Sequence, residues 1–389
     1  MVRNIVINNN VAIIAFIIAI IITGFLFLIP AYSQIPYLPN RQSSPERNQN
    51  STIITENGSK DNNSIASISK YSYKNANKDK PINSNNGKVV IINFDDSHQS
   101  DYTYAKPVLD KYGFKATFFE VCNWVEAGYH DKDMTTTWKD IAVLQQDGMD
   151  IESETMTHSN LNNLSQPDLD YEIGQSKQCM KNHGFNPTIF AYPNGKGADD
   201  PKVVNTVAKY YDLARTDTKS ALTFLHCDGN NDGQTDCRMH FSNGTLTPSN
   251  RYSINSWAHK HIDEGCSADG NVGGSSSNNV TCKKFRYKYD NAQMSEKFVS
   301  AVNNQTNYNN NDGTVRAIPI IVYHTLVNYR DLSESNRPID TTVNLFDAEM
   351  KYLYDNGFKV ITMADLGYDE NSKYLYIKSK NQSSFPNNT

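Results

Sequence analysis

The sequence predicts an α/β fold in which short buried strands alternate with helices. Between residues 88 and 368, apolar runs alternate with longer segments of helical periodicity. The first apolar run, Val89–Phe94, is short and β-branched and has polar residues or glycine on either side, which is typical of a buried strand. Because strand–helix units repeat along the chain, we expect parallel strands joined by right-handed crossovers.

The remaining elements follow from the same two patterns. Further strands are predicted at 116–121, 150–153, 188–191, 213–216, 318–323 and 359–361. Helices are predicted at 104–112, 137–147, 166–183, 202–210, 292–303 and 345–356. The start of the 166–183 helix is the best defined, because Ser165 can cap it and Pro167 suits its first turn.

Composition divides the chain into four parts. Residues 1–33 are a membrane anchor or signal segment, 34–87 an Asn/Ser-rich disordered linker, 88–368 the folded domain and 369–389 a polar tail. The linker has too few large apolar residues to offset its ordering entropy. Residues from about 225 to 284 break the strand–helix rhythm and hold four of the cysteines, so we expect a disulfide-rich insertion there.

The N-terminal segment indicates export. Residues 11–30 are almost uniformly apolar, and twenty residues rising about 1.5 Å each match a hydrocarbon core of about 30 Å. The small residues Ala31 and Ser33 also fit a signal-peptide cleavage site. The sequence favours an uncleaved single-pass helix in the cell membrane, with a secreted, cleaved form as the alternative. In both cases the folded domain lies outside the cytoplasm.

Acceptor triplets for N-glycosylation also fit an exported glycoprotein. They begin at Asn50, Asn57, Asn62, Asn163, Asn243, Asn279, Asn304, Asn381 and Asn387. The net charge is −5 and the chain has no basic stripe, so we expect no nucleic-acid partner.

The six cysteines form no Cys-x-x-Cys zinc pair, and an oxidising compartment would favour disulfides. Pairs close in sequence are expected to bond first, which leaves one pair by elimination: Cys227–Cys237, Cys266–Cys282 and Cys122–Cys179. Free buried thiols are the alternative.

A short segment of the insertion resembles the start of a calcium loop. Oxygen-bearing side chains stand at loop positions 1, 3, 5 and 9, which are Asp228, Asn230, Asp232 and Asp236. Gly233 at position 6 would permit the sharp turn, but Met239 stands where a glutamate ligand is expected. The alternative is a turn closed by the Cys227–Cys237 disulfide without an ion.

Ionisable residues follow three of the predicted strands or lie just beyond them. Asp95 and Asp96 end the first strand, Glu154 and His158 follow the 150–153 strand, and His324 ends the 318–323 strand. The carboxyl ends of parallel strands are where α/β enzymes place their chemistry. Adjacent buried carboxylates are costly unless a cation or a shared proton relieves them. The pattern therefore indicates a hydrolytic metal site.

Several motifs carry a family resemblance. They are NFDDS at 93–97, YGFKATFF at 112–119, SETMTHSNLNNLS at 153–165, FAYPNG at 190–195, IPIIVYH at 318–324 and YLYDNGFKVITMADL at 352–366. In order and spacing they resemble the polysaccharide deacetylase (NodB-homology) family, carbohydrate esterase family 4. The resemblance implies a NodB-like distorted (β/α) barrel with fewer than eight strands.

The resemblance also implies roles for the site residues. Asp95 would be the catalytic base and His324 the general acid, and the backbone N–H of Tyr192 would donate to the oxyanion. A divalent ion would be held by Asp96, Glu154 and His158. Such an ion polarises a carbonyl and lowers the pKa of bound water from about 15.7 to about 7. Zinc is the first expectation, with manganese, cobalt or iron as alternatives.

The sequence departs from the family pattern at two positions. Glu154 stands where the family has the first histidine of its pair, and is either a carboxylate ligand or a polar replacement in a weakened site. Two carboxylate ligands would make the ion a weaker Lewis acid and favour harder metals. Ala191 replaces an arginine that orients the base. Residues 215–217 lie near the family's remaining motif but receive no role.

The expected function is removal of N-acetyl groups from amino sugars of a cell-surface or extracellular polysaccharide by a metal-dependent hydrolase. The expected partners are that polysaccharide and the membrane. The alternatives are a catalytically silent glycan-binding protein on the same fold, or an O-acetyl esterase or amidase of a related substrate.

Overall fold

The structure is a computed structural model that describes residues 87–130, 133–218, 220–225, 251–268, 282–309, 315–371 and 374–378. The expected anchor, most of the linker, the calcium loop and the Cys227–Cys237 pair lie outside these residues. Among the helices that are described, none is long and apolar enough to cross a membrane.

Seven parallel strands close into a barrel. In chain order they are β1 (Val89–Phe94), β2 (Thr117–Glu120), β3 (Asp150–Ser153), β4 (Ile189–Ala191), β5 (Leu213–Asp217), β6 (Ile254–Ala258) and β7 (Ala317–Tyr323). Each pairs with the next, and β7 returns to β1 with Ile91 opposite Ile320. The expectation of a (β/α) barrel with fewer than eight strands is confirmed.

Shorter strands extend the barrel or form small ribbons beside it. Lys359–Ile361 pairs in parallel with β1, and Leu222–Phe224 pairs antiparallel with β7. The ribbons are Tyr129–His130 with Asp133–Met134, Ile262–Ala268 with Cys282–Lys288, Leu326–Val327 with Thr341–Thr342, and Leu366–Asp369 with Tyr374–Ile377.

Helices cover the outside of the barrel. They are α1 (Lys106–Tyr112), α2 (Cys122–Ala127), α3 (Trp138–Gln146), α4 (Gln166–Leu169), α5 (Ser176–Asn182), α6 (Pro201–Tyr210), α7 (Asn291–Asn303) and α8 (Val343–Asp355). Wider π-type turns at Asp101–Ala105 and Asp170–Gln175 lead into α1 and join α4 to α5. Short 3₁₀ turns occur at Pro193–Gly195, Asn304–Asn307, Leu332–Glu334 and Met363–Asp365. The Ser165 side chain accepts from the Asp168 N–H, which confirms the predicted cap.

The side chains of β1 alternate between two apolar clusters. Val90, Ile92 and Phe94 belong to the cluster that packs against the helices. Val89 and Ile91 belong to a separate cluster, together with side chains of the other barrel strands. Successive strand residues point to opposite faces, so β1 must be apolar on both. Burying each such side chain contributes about 1.5–3 kcal/mol, and this stabilises the barrel edge that carries the polar residues.

Two boundaries predicted from the sequence are wrong. The expected insertion at 225–284 contains β6, which is a strand of the barrel itself. Its sequence, Ile-Asn-Ser-Trp-Ala, is too polar to read as a buried strand, yet Ser256 is buried and its Oγ accepts from Arg215 Nη1. The expected polar tail contains the strand Tyr374–Ile377, whose Leu375 is buried in the core.

Candidate active site

The two adjacent aspartates lie where β1 ends, and their carboxylates contact different side chains. The Asp95 N–H donates to the Tyr323 carbonyl at 3.1 Å and so extends the β1–β7 ladder by one residue. Asp96 then takes a left-handed backbone conformation with φ of 72°. After this turn, the Asp95 carboxylate contacts Arg215 and the Asp96 carboxylate contacts His158.

Three of the predicted metal ligands converge on one point. His158 Nε2 lies 3.2 Å from Asp96 Oδ1 and 3.4 Å from Glu154 Oε1. One ligand atom from each of the three residues lies within 4.8 Å of the others. The structure thus brings Asp96, Glu154 and His158 together as expected.

The loop after β3 shapes this convergence. The Glu154 N–H donates to the Glu120 carbonyl at 2.9 Å, which continues the β2–β3 ladder up to the ligand. His158 has a positive φ of 61°, and its N–H donates to Thr155 Oγ1 at 2.8 Å. The tight turn between them brings the imidazole back over the glutamate that precedes it by four residues.

Arg215 is the main functional candidate to which the sequence assigned no role. Its guanidinium donates from Nη2 to both carboxylate oxygens of Asp95, at 2.7 Å each. Nη1 donates to Ser256 Oγ at 3.1 Å, and the guanidinium carbon lies 4.7 Å from the centre of the Phe119 ring. The side chain is only 1% exposed. A buried charge-assisted contact of this kind fixes the carboxylate in one orientation.

The register of the barrel explains why Arg215 can take this position. Ala191 on β4 and Arg215 on β5 are Cα partners in neighbouring strands. The arginine that the family resemblance places at 191 is therefore present one strand further along. A signal was available in the sequence, because Arg215 is a charged residue inside a predicted strand, and such a residue needs a buried partner.

Burial dominates the electrostatics of the acidic groups. It raises the pKa of Asp95 well above the ordinary value, although Arg215 opposes this shift, while Glu154 and Asp96 add to it. Burial likewise raises the pKa of Glu154. This concentration of negative charge is costly without a compensating cation.

The same negative charges stabilise the charged form of His158, whereas they destabilise the charged forms of the acids. Burial lowers its pKa, but the hydrogen bond and charge of Glu154 and the charge of Asp96 outweigh this and raise it to about 9. The imidazole therefore carries a proton at neutral pH in the metal-free protein. A metal ion must displace that proton to bind at Nε2.

His324 lies beside the same aspartate but in another protonation state. Its Nε2 is 3.9 Å from Asp96 Oδ2. Burial lowers its pKa to about 4, although Asp96 opposes this shift. The expected general acid is thus a neutral imidazole at pH 7 in the absence of metal and substrate.

A cavity of about 90 Å³ opens onto these groups. Besides the residues already named, its lining includes Asn194, Asp217 and Lys260. Lys260 Nζ donates to Asp217 Oδ2 at 3.1 Å, and the Ala258 N–H donates to the other oxygen of that carboxylate at 3.1 Å. A positive and a negative side chain therefore stand together in the wall of the cavity.

Known proteins are similar to the part of the chain that carries the candidate site. The sequence profile of the family described as "Polysaccharide deacetylase" matches residues 82–213, which contain Asp95, Asp96, Glu154 and His158. The match covers residues 82–213 of a 389-residue chain, and this segment is similar to that family.

Curated relatives match this chain over part of their length. The Bacillus subtilis protein YxkH, whose name assigns it provisionally to the polysaccharide deacetylases, is 36% identical over 110 residues, 28% of this chain and 38% of that protein. A poly-β-1,6-N-acetyl-D-glucosamine N-deacetylase of Staphylococcus aureus is 31% identical over 137 residues, 32% of this chain and 47% of that protein. The match thus spans less than half of either relative.

Solved structures of deacetylases are also similar. A Streptococcus pyogenes deacetylase in complex with acetate shares 24% identity over 43% of this chain and 63% of that chain, with a TM-score of 0.33. The peptidoglycan deacetylase PdaC from Bacillus subtilis shares 14% identity over 72% of this chain and 89% of that chain, with a TM-score of 0.39.

The structure corrects the role that the deacetylase resemblance implied for Tyr192. Its backbone N–H already donates to the Arg215 carbonyl at 3.1 Å, as part of the pairing between β4 and β5. An N–H engaged in this ladder does not point at an oxyanion in the cavity. The neighbouring Asn194, with a φ of 52°, lies at the turn that lines the cavity instead.

The candidate ligand set of Asp96, Glu154 and His158 fits a divalent ion. Atoms bound to one ion at about 2.1 Å in tetrahedral geometry lie roughly 3.4 Å apart. The distances of His158 Nε2 from Asp96 and Glu154, 3.2 and 3.4 Å, match that spacing. Two carboxylates and one imidazole suit zinc, manganese, cobalt or iron. Glu154 thus lies where a ligand is needed.

Of the three expected disulfides, the structure describes one as a bond. Cys122 at the start of α2 is joined to Cys179 on α5, with their Cα atoms 6.5 Å apart. Cys266 and Cys282 lie on facing strands, but their backbone partners are Lys284 and Ala268. The bond between them stays a prediction.

Proposed function

We propose that this protein is a metal-dependent hydrolase that removes N-acetyl groups from amino sugars of a cell-surface or extracellular polysaccharide. One observation carries the proposal: three ligand side chains converge beside a carboxylate held by a buried arginine. The similarity of residues 82–213 to the polysaccharide deacetylase family and the name of the Staphylococcus aureus relative, a poly-β-1,6-N-acetyl-D-glucosamine N-deacetylase, support the substrate class.

The proposed base is Asp95. When bound, the divalent ion would polarise the substrate carbonyl and acidify water. Asp96, Glu154 and His158 would hold that ion. The guanidinium of Arg215 favours the ionised form of Asp95 and aims it, so that it accepts a proton from the attacking water.

The proposed acid is His324, which must be protonated before it can act because it is neutral at pH 7 in the absence of metal and substrate. A neutral imidazole must gain a proton before it can give one to the departing amine. We therefore propose that His324 takes up a proton from solvent during the reaction, when negative charge develops on the substrate oxygen, and that Asp95 afterwards returns to solvent the proton it accepted from water. Burial lowers the pKa of His324 and so disfavours the protonated form in the resting protein, although Asp96 opposes this shift.

Export is also part of the proposal. The disulfide between Cys122 and Cys179 supports an oxidising compartment. The apolar segment at 11–30 and the linker after it would place the catalytic domain outside the cell, either tethered to the membrane or secreted.

The direct test is the variant Asp95→Asn. We expect acetate release from N-acetylglucosamine oligomers to fall by about 10²- to 10⁴-fold, the usual contribution of a general base. Bound metal should stay at the wild-type level, because Asp95 is not in the ligand set. Asp110→Asn on α1, an exposed carboxylate far from the cavity, is the matched control. Wild-type rates in Asp95→Asn would refute the proposed base.

The second candidate is a catalytically silent glycan-binding protein, and Glu154 in place of a histidine is the observation that favours it. This candidate predicts binding of acetylated oligosaccharides but no acetate release with zinc, manganese, cobalt or iron. An O-acetyl esterase would instead release acetate from O-acetylated xylan and not from N-acetylglucosamine oligomers. Both substrates belong in the same assay.

A further inference from the structure

A set of buried polar side chains lies behind the wall of the catalytic cavity, next to His324. The set comes from four different elements: His259 just after β6, Tyr323 at the end of β7, Thr341 on a short strand and Glu349 on α8. Each of the four residues is at most 1% exposed. We call them the His259–Glu349 network. They do not belong to the described lining of the cavity.

Hydrogen bonds join the members of the His259–Glu349 network into one chain. Glu349 Oε2 accepts from the Tyr323 hydroxyl at 2.7 Å, and Glu349 Oε1 lies 2.9 Å from His259 Nε2. At the other side of the ring, His259 Nδ1 lies 3.0 Å from Thr341 Oγ1. Both carboxylate oxygens and both ring nitrogens therefore have a partner. A buried polar network whose members are all satisfied is rigid and selects one arrangement.

Aromatic packing holds Tyr323 within this network. The His259 ring stacks on the Tyr323 ring, with centroids 4.9 Å apart and planes 28° from parallel. Phe346 on α8 packs edge-on against Tyr323, also with a centroid separation of 4.9 Å. Because protein interiors are close-packed, the Tyr323 ring has little room to move.

Members of the network alternate along the chain with residues of the cavity wall. The residues immediately before and after Tyr323, and those immediately before and after His259, all line the cavity: Val322, His324, Ala258 and Lys260. Successive residues of an extended chain point to opposite faces. The network therefore supports this part of the wall from behind.

Two members of the network also bind the backbone on either side of His324. The His259 N–H donates to the Val322 carbonyl at 2.7 Å. The Thr341 N–H donates to the Thr325 carbonyl at 2.9 Å. The main chain is thus held two residues before His324 and one residue after it.

We propose that Glu349 and His259 are positioning residues for His324. They fix the end of β7, so that the imidazole stays beside Asp96 and faces the departing amine. Glu349 is suited to this because its two oxygens bind groups from two different elements. Misplacement of a reacting group by about 1 Å can cost about 10²-fold in rate. The inference rests on the proposed function through the role of His324 as the acid.

The test is a double-variant cycle between Glu349 and His324. Glu349→Leu removes both acceptor oxygens, and we expect kcat for acetate release from N-acetylglucosamine oligomers to fall about 10- to 10²-fold. KM and bound metal should not change, because the network lies outside the cavity lining. In protein that already carries His324→Ala, Glu349→Leu should lower kcat no further, because a positioning residue acts only through the residue it positions.

A conservative variant and a matched control separate positioning from loss of stability. Glu349→Gln should keep most of the wild-type kcat, because the amide can accept from Tyr323 and donate to His259 Nε2. Met350→Ala changes the next residue of α8, which is also buried but belongs to the apolar cluster around the barrel. It should lower the thermal midpoint and leave kcat unchanged.

A structural readout completes the test without relying on activity. In a crystal structure of Glu349→Leu, the His324 imidazole should have moved from its place 3.9 Å from Asp96 Oδ2. An unmoved imidazole, a wild-type kcat in Glu349→Leu, or an equal further loss in the double variant would each overturn the proposal. If Glu349→Leu does not fold, Tyr323→Phe takes its place in the cycle, because it removes only one hydroxyl.

Failure of the proposed function would give a different result. It would appear as wild-type acetate release by His324→Ala, or as no acetate release by the metal-loaded wild type. The position of the imidazole in the variant crystal structure still decides the positioning role in that case.

Discussion

The two sides of the catalytic cavity differ in how their residues reach it. On one side, Asp96, Glu154 and His158 come from the ends of β1 and β3 and meet around a single point. On the other side, Arg215 comes from inside β5 and holds Asp95. The first side is built from loops that follow strands, whereas the second depends on a side chain buried within the barrel.

This difference shows which residues of a site can be identified from a local sequence motif. Residues that follow a strand end stand in short local patterns, and their convergence follows from barrel closure. A residue such as Arg215 acts through a neighbour 120 positions away in the chain. Its role emerges only once the register of β4 and β5 is known.

The largest effect that tests this comparison is expected at Arg215. Arg215→Ala leaves the Asp95 carboxylate buried without its cation, which should destabilise the fold by about 3–5 kcal/mol. It should also raise the pKa of Asp95 further, so the acidic limb of the pH–rate profile moves to higher pH. Thermal unfolding and pH–rate profiles measure the two effects.

The matched variant places the arginine on the neighbouring strand. Ala191→Arg combined with Arg215→Ala should recover part of both the stability and the acidic limb, because 191 and 215 are register partners. A double variant no better than Arg215→Ala would show that the two positions are not interchangeable.

The affinity of the candidate site for a divalent ion should depend on pH through the protonation of His158. Because its pKa is about 9 in the metal-free protein, an incoming ion displaces its proton at neutral pH. The affinity for a divalent ion should therefore rise by at most about tenfold per pH unit from pH 7, and the rise should level off at about pH 9. Calorimetric titrations in buffers of different ionisation enthalpy report the released proton. An affinity that stays constant over this range would contradict the assignment of His158 as a ligand.

The smallest effect is expected at Glu154. Glu154→His removes one negative charge from the ligand set and should shift the preference from manganese and iron towards zinc by a few-fold. Competition between paired metals, followed by elemental analysis, measures the shift. Loss of all metal binding in this variant would show that the carboxylate is required by the geometry of this loop.

Strands that are continuous apolar runs were predictable from the sequence. The strand β6, which contains polar residues, was not. β1 and β7 are continuous apolar runs, and both were identified. β6 was missed because the polar Ser256 stands between the buried Ile254 and Ala258 and interrupts the apolar run that would indicate a strand. Leu375 packs into the core from a segment whose composition otherwise resembles a tail.

The residues of the candidate site also differ in how far the sequence could predict their roles. The convergence of Asp96, Glu154 and His158 was predictable because these residues stand in local motifs. Tyr192 was assigned the wrong role because the sequence does not show that its N–H belongs to the β4–β5 ladder. The protonation state of His324 depends on burial by residues distant in sequence, which no local pattern encodes.

The central claim is that one ion, held by Asp96, Glu154 and His158, activates this cavity for deacetylation. The most direct measurement is acetate release from N-acetylglucosamine oligomers by oxidised, metal-depleted protein as a divalent ion is added back. The account predicts that release rises in proportion to bound ion and saturates at one ion per chain. Full release by the metal-depleted protein, or no release with the ion bound, would contradict it.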